Sequence, residues 1–219
     1  MRMRRKPWAR PELAESEIFI DEPTKAKGHW NELFENKEKP LHLEIGCGKG
    51  NFVCKIGLAN PDVNYIAMDL KSDVLGVARR IINGAYGEAD RKVDNILLTA
   101  WNADRISDIF DKDDKISRIY LNFSNPWPKD RHKKRRLTHP TKLNQYKDFI
   151  TDDCELYFKT DNDELFDESL EYLKECGLEV TYMTRDLHAS DYTPNYTTEH
   201  EDMYTNEGIK IKFLIAKFK

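Results

Sequence analysis

The sequence predicts a doubly wound α/β fold, a mostly parallel sheet of seven strands with helices on both faces. Two patterns predict it. Short apolar runs alternate with longer amphipathic stretches along most of the chain, and parallel neighbours need crossover connections of that kind. The first apolar run, Leu41–Ile45, stops at glycines and passes directly into a helical stretch, which is a βα unit.

The elements follow in order. After the helix at 51–58 come a strand at 65–68, a helix at 72–84 and a strand at 95–99. A short helix at 106–110 leads to the strand at 118–123, and a helix at 141–150 leads to the strand at 156–159. A helix at 163–176, a strand at 179–183 and an alternating strand at 209–217 complete the pattern. With 219 residues and neither repeats nor a low-complexity linker, the chain reads as a basic extension over 1–36 and one α/β domain over 37–219. Ligands of such a sheet belong at the carboxyl ends of its strands.

A net charge of −4 argues against a protein that coats nucleic acid with its whole surface. Basic residues gather instead at Arg2, Arg4, Arg5, Lys6 and Arg10, and again at Lys129, Arg131, Lys133, Lys134, Arg135 and Arg136, so contact with RNA is expected in a patch. Cys47, Cys54, Cys154 and Cys176 form no CxxC pair and share no zinc-ligand spacing with His29, His42 or His132, so they read as reduced thiols with no metal. No apolar signal core and no run of membrane-spanning length is present, which reads as a cytoplasmic protein without a membrane partner.

Glu44-Ile45-Gly46-Cys47-Gly48-Lys49-Gly50 ends the first strand with glycines at alternate positions, so the backbone can turn tightly against a ligand. The spacing is G-x-G-x-G, not the G-x-G-x-x-G of a dinucleotide site. Asp69 closes the next strand about 20 residues on, where a carboxylate accepts from ribose hydroxyls. Glu44 places a negative charge beside the loop, which suits a cationic amino-acid moiety and repels a pyrophosphate. The set favours S-adenosylmethionine over NAD. Asn102, after the third strand, offers an amide to an adenine, although Trp101 beside it is as well explained as core.

The fourth strand opens into Ser124-Asn125-Pro126-Trp127-Pro128-Lys129, followed by Asp130, Arg131, His132, Lys133, Lys134, Arg135 and Arg136. Two prolines stiffen the loop, Trp127 offers a face for a base, and the basic run suits phosphates.

In these segments the chain resembles the bacterial tRNA (guanine-N7)-methyltransferases. The likeness spans nearly the whole chain, from Lys6-Pro7-Trp8-Ala9 and Lys27-Gly28-His29-Trp30-Asn31, through the glycine loop and Leu121-Asn122-Phe123-Ser124-Asn125-Pro126-Trp127-Pro128-Lys129, to Phe158-Lys159-Thr160-Asp161-Asn162 and Thr198-Glu199-His200-Glu201. It implies a class I S-adenosylmethionine-dependent, Rossmann-like methyltransferase whose last strand is antiparallel. It implies cofactor contacts at Glu44, Gly46, Gly48, Asp69, Asn102 and Asn125, with Asn125 at the catalytic position. It implies substrate contacts at Lys129, Asp161, Thr198, Glu199, His200 and Glu201, and RNA contacts at Arg131, His132, Lys133, Lys134, Arg135 and Arg136. The expected substrate is the variable-loop guanosine 46 of tRNA, and the expected assembly a monomer or homodimer.

Asn102 and Asn125 stand where that family usually has Asp, and His200 where it has an aromatic Tyr or Phe. Guanine N7 has an in-plane lone pair and no proton, so its methylation needs no general base. Asp161 and Glu201 are candidates for steadying the charge that passes to the ring, and Asp161 reads equally well as the cap of the helix starting near Asp163. Two other functions compete. Asn125-Pro126-Trp127 is similar to the loop of amino-group methyltransferases, with Pro128 displaced by one residue, and a non-catalytic RNA-binding module would retain the same basic run.

Overall fold

The computed structural model describes residues 5–219, so Arg2 and Arg4 of the basic arm lie outside the described residues. One sheet holds β1 (Phe19–Ile20), β2 (Leu41–Ile45), β3 (Asn64–Asp69), β4 (Ile96–Ala100), β5 (Ile116–Asn122), β6 (Ile150–Thr160), β7 (Glu179–Thr184) and β8 (Lys212–Lys217). Their spatial order is β1-β4-β3-β2-β5-β6-β8-β7. The first six pair in parallel, and β8 runs antiparallel between β6 and β7, as the resemblance implies for the last strand.

The sheet has eight strands rather than the expected seven. The additional strand is β1, two residues paired with Leu98 and Thr99 of β4, too short to show the alternation by which a strand is read from sequence. It protects an otherwise bare sheet edge.

Helices α1 (Ala9–Ala14), α2 (Asn51–Ala59) and α3 (Ser72–Glu88) cover one face, joining Leu13, Phe52, Val53, Leu75 and Ile82 to Tyr65, Ala67 and Tyr120 of the sheet. On the other face α4 (Pro140–Tyr146) and α5 (Asp163–Glu175) bury Leu143, Tyr146, Leu165 and Phe166 against Leu43, Ile66, Ile119 and Phe158. The alternation of strand side chains between these layers gives the sheet two apolar faces, which is why its strands read as near-continuous apolar runs.

Several boundaries differ from expectation. The helix at 141–150 stops at Tyr146, and β6 begins at Ile150 and runs for eleven residues, because exposed Asp152 and Asp153 break its apolar pattern. The short helix at 106–110 is a 3-10 turn over Ala103–Asp108, and β8 begins at Lys212 because Ile209 and Lys210 remain exposed. Helix α6 (Glu199–Asn206) carries too few apolar residues to show helical periodicity.

Residues 185–211, between β7 and β8, fold back over the sheet. Tyr192 packs on Phe213 and Tyr182, and the segment closes a cavity of 410 Å³ lined partly by Phe52, Tyr65, Tyr120 and Tyr157.

Candidate active site

From β2 the chain winds to β3 and β4 on one side, and from β5 to β6 on the other, so β2 and β5 flank the switch point of the sheet. Glu44, Asn122 and Lys159 project from the same face of β2, β5 and β6 near their carboxyl ends. Glu44 is 3% exposed. Asn122 Nδ2 donates to its Oε1 at 3.0 Å, whereas its buried Oε2 has no hydrogen-bond partner among the described residues. Burial pushes the Glu44 carboxyl up to about 7, against the opposing effect of the Asn122 hydrogen bond. A buried carboxylate with one bare oxygen is completed by a cationic donor.

The glycine loop follows. Gly46 and Gly48 have φ of 84° and 56°, and a Cβ at either would meet nothing within 4 Å, so there the backbone conformation requires glycine. At Gly50 a Cβ would lie 2.8 Å from that of Ala78, so close packing on α3 adds to the demand. Asp69, at the end of β3, accepts from Gly48 N at 3.1 Å through Oδ2 and from Lys71 N at 3.1 Å through Oδ1. It thereby pins the glycine loop to β3, while burial raises its carboxyl above the ordinary range. Asn102 is exposed just beyond β4, and its Oδ1 accepts from Asp104 N at 2.9 Å, capping the 3-10 turn.

The loop after β5 is bent by two non-glycine residues in the left-handed region, Phe123 (φ 52°) and Trp127 (φ 42°), at a cost on the order of 1–3 kcal/mol each. Asn125 is exposed, and its Oδ1 accepts from Trp127 N at 3.0 Å, closing a local turn. Lys129 is exposed and precedes a 3-10 turn over Asp130–Arg135. Arg131, Lys134 and Arg135 are exposed, and the Arg135 guanidinium stacks over the Trp127 ring at 5.1 Å, with the His132 ring 5.8 Å from the same indole. Lys133 and Arg136 turn inward: Arg136 is 1% exposed, and both pair with Glu168 of α5.

The segment over 185–211 brings the last predicted residues. Thr198 caps α6, its Oγ1 accepting from Glu201 N at 3.0 Å. Glu199 meets Lys49 of the glycine loop at 2.6 Å. His200 is exposed, its ring stacked on Phe123 at 6.2 Å. Glu201 is fully enclosed, bound by Lys159 Nζ at 2.9 Å, Asn195 Nδ2 at 2.7 Å and His188 Nε2 at 3.1 Å. Asp161 is half-buried and its carbonyl accepts from Lys212 Nζ at 2.9 Å, while the cap of α5 is Asn162, one residue on from the expected Asp161.

Residues 38–214 match the family model described as "Putative methyltransferase". The chain is 57% identical over 217 residues to the tRNA (guanine-N(7)-)-methyltransferase of Clostridium perfringens strain SM101, covering 99% of both chains. To the enzyme of the same name from Acetivibrio thermocellus it is 47% identical over 219 residues, covering all of both. The chain belongs to the tRNA (guanine-N(7)-)-methyltransferase family. Among solved structures it is similar to the 16S rRNA methyltransferase KamB, with a TM-score of 0.61 at 13% identity over 83% of this chain and 88% of that one. It is also similar to a complex of the Haloferax volcanii Trm112 methyltransferase activator and its methyltransferase partner, with a TM-score of 0.54 at 13% identity over 96% and 95%. Those likenesses show the fold.

Membership in this family, on a class I methyltransferase fold, implies use of S-adenosylmethionine. The residues present fit such a group: the bare Oε2 of Glu44 lies beside a glycine loop whose open side would admit a ligand against the backbone. Two members of the site escaped the sequence reading as functional residues, Asn122 and Lys159. Both lie inside apolar strand runs, and the signals for them were a polar residue at a buried position of each strand and its place in a segment that carries the family likeness. Among the described residues no cluster of potential metal ligands and no helix long and apolar enough to cross a membrane occurs.

Proposed function

We propose that this enzyme transfers the methyl group of S-adenosylmethionine to N7 of a guanine in tRNA, the reaction for which its 57%-identical relative is named, and that the guanine is variable-loop guanosine 46, the position its family resemblance implies. The observation that carries the reading is the buried Glu44, one oxygen held by Asn122 and the other bare, at the mouth of the glycine loop. In this reading Glu44 takes the cationic amino group of the methionine moiety, Gly46 and Gly48 line its path, and Asp69 and Asn102 face the nucleoside. The division of the chain into an extension over 1–36 and a methyltransferase domain over 37–219 belongs to the same reading.

When bound, S-adenosylmethionine supplies an electrophilic methyl on a sulfonium. Guanine N7 would bring its own lone pair and carries no proton, so no residue of the chain would have to remove one. The protein's task is alignment, an effect worth roughly 7–11 kcal/mol when complete. Trp127 and His200 offer faces on which an unstacked base can rest, Asn125 and Lys129 border it, and Asp161 supplies nearby negative charge for the ring that becomes cationic. Thr198 and Glu201 act from beneath, by fixing α6 and so placing Glu199 and His200. Arg131, His132, Lys134 and Arg135 meet RNA phosphates.

The amino-group alternative needs the Asn125 carbonyl as an acceptor for an exocyclic amine, and that oxygen is engaged by Trp127 N. The test is transfer of labelled methyl from S-adenosylmethionine to unmodified tRNA, followed by nucleoside digestion. Labelled 7-methylguanosine, lost when guanosine 46 is replaced, is the expected product. Cofactor and tRNA binding without any product would favour an RNA-binding module instead.

A further inference from the structure

The basic run after β5 divides by burial into two sets. Arg131, Lys134 and Arg135 are exposed, whereas Arg136 is 1% exposed and directs its guanidinium into three contacts. Its Nε donates to the Pro126 carbonyl at 2.7 Å, Nη1 pairs with Glu168 Oε2, and Nη2 reaches Glu164 Oε1 at 3.3 Å. Glu168 in turn accepts from Lys133 Nζ at 2.6 Å and from the Tyr172 hydroxyl at 3.0 Å. Pro126 lies between Asn125 and Trp127, in the loop that the proposed reaction places against the substrate.

We propose that Arg136 and Glu168, assisted by Lys133, form a lock that positions the loop at 125–128 on α5, and that Arg136 does not contact RNA phosphate. The proposal rests on the functional reading above for its catalytic consequence. Three arguments support it. The loop holds itself weakly, because Pro126 and Pro128 have no backbone N–H to donate, Trp127 and Phe123 sit in costly left-handed conformations, and the Asn125–Trp127 turn is local and exposed. The planar guanidinium is the one side chain that can make three divergent contacts in a fixed fork, which an ammonium cannot reproduce. A phosphate approaching Arg136 would meet the carboxylates of Glu164 and Glu168 first, and like charges repel it.

The test compares Arg136→Lys, Arg136→Gln, Glu168→Gln and the double variant of Arg136→Lys with Glu168→Gln, and takes Lys134→Ala, which removes an exposed charge, as the reference for a lost phosphate contact. Amide hydrogen exchange across 124–137 is read on the full chain without tRNA or cofactor, and single-turnover methylation and the salt dependence of tRNA binding are read beside it. Each lock variant is expected to speed exchange of loop amides by about tenfold or more. They should slow the single turnover by about 10²-fold while leaving the salt slope unchanged. The combination should be no worse than either alone, because both remove one lock. Wild-type exchange in the loop together with a slope reduced by about 0.7–0.9 in Arg136→Gln, which unlike Arg136→Lys removes the charge, would make Arg136 a phosphate contact and overturn the proposal. If the Arg136 variants fail to fold, Glu168→Gln, whose carboxylate is partly solvent-exposed, decides through the exchange arm: faster loop exchange supports the lock and wild-type exchange overturns it. Should the wild-type chain methylate no tRNA, the functional reading fails and the exchange arm still decides the lock.

Discussion

Lys159 Nζ lies 2.9 Å from Glu201 Oε2, joining the end of β6 to α6 through two side chains that are 5% and 0% exposed. Removing one partner of a buried pair typically costs about 3–5 kcal/mol, because the other charge is left without compensation. Here Asn195 and His188 still face Glu201, so Lys159→Met is expected to cost about 3 kcal/mol, the low end of that range. Urea unfolding measures it, and Glu201→Gln in the same background should restore part of the loss. A midpoint equal to wild type would show that the pair contributes nothing net to stability.

Glu44 carries a carboxyl near 7 in the folded chain, against an ordinary 4.5, because burial disfavours its charge. Between those values the folded state holds a proton that the unfolded chain lacks, so this group makes stability fall as pH rises through the window. Glu44→Gln should therefore stabilise the ligand-free protein by about 3 kcal/mol at pH 8 and by less than about 1 kcal/mol at pH 5. Cofactor affinity should move the opposite way. The wild type should bind S-adenosylmethionine more weakly as pH falls below about 7, while Glu44→Gln binds weakly at every pH. Melting curves and calorimetric titrations at the two pH values check both signs.

Asn125 closes its turn through a carbonyl oxygen that an Asp would also supply. Loss of a general base typically costs about 10²–10⁴-fold, and N7 attack has no proton to remove. Asn125→Asp should therefore change the single-turnover rate by far less than about 10²-fold, and Asn125→Ala, which opens the turn, should slow it more. A rise of about 10²-fold or more in Asn125→Asp would mean that a carboxylate performs chemistry that the lone-pair argument leaves out.

Much of this architecture was legible because buried parallel strands and their crossover helices write themselves as apolar runs of characteristic length. Leu41–Ile45, Gly46, Gly48 and Asp69 could be placed from spacing alone, since a strand end, a left-handed turn and the next strand end are all local features. What escaped depends on distant partners. Nothing near Arg136 in sequence distinguishes it from Arg135, and only α5, some thirty residues on, supplies the carboxylates that draw it inward. Glu201 stands among exposed residues of α6, and its burial follows from Lys159 on a central strand. The two-residue β1 and the short α1 are likewise defined by what they pack against, with Ala9 fitting over Gly76 of α3 where a Cβ would lie 2.5 Å away.

The outward half of the basic run makes the last prediction. Arg131 and Lys134 are exposed, unlike Arg136, and neither is stacked on Trp127 as Arg135 is. Replacing each by alanine should therefore remove charge without disturbing the loop. Each lost phosphate contact is expected to lower the slope of log affinity for tRNA against log salt by about 0.7–0.9. Affinity for S-adenosylmethionine should remain at the wild-type value, because both side chains are exposed on the turn over Asp130–Arg135, outside the set of Glu44, the glycine loop and Asp69. The two substitutions should add, since a flexible RNA backbone meets separate surface charges nearly independently. Filter binding across a salt series measures the slopes. Weaker tRNA binding with an unchanged slope would indicate that these side chains shape the loop and do not neutralise phosphates.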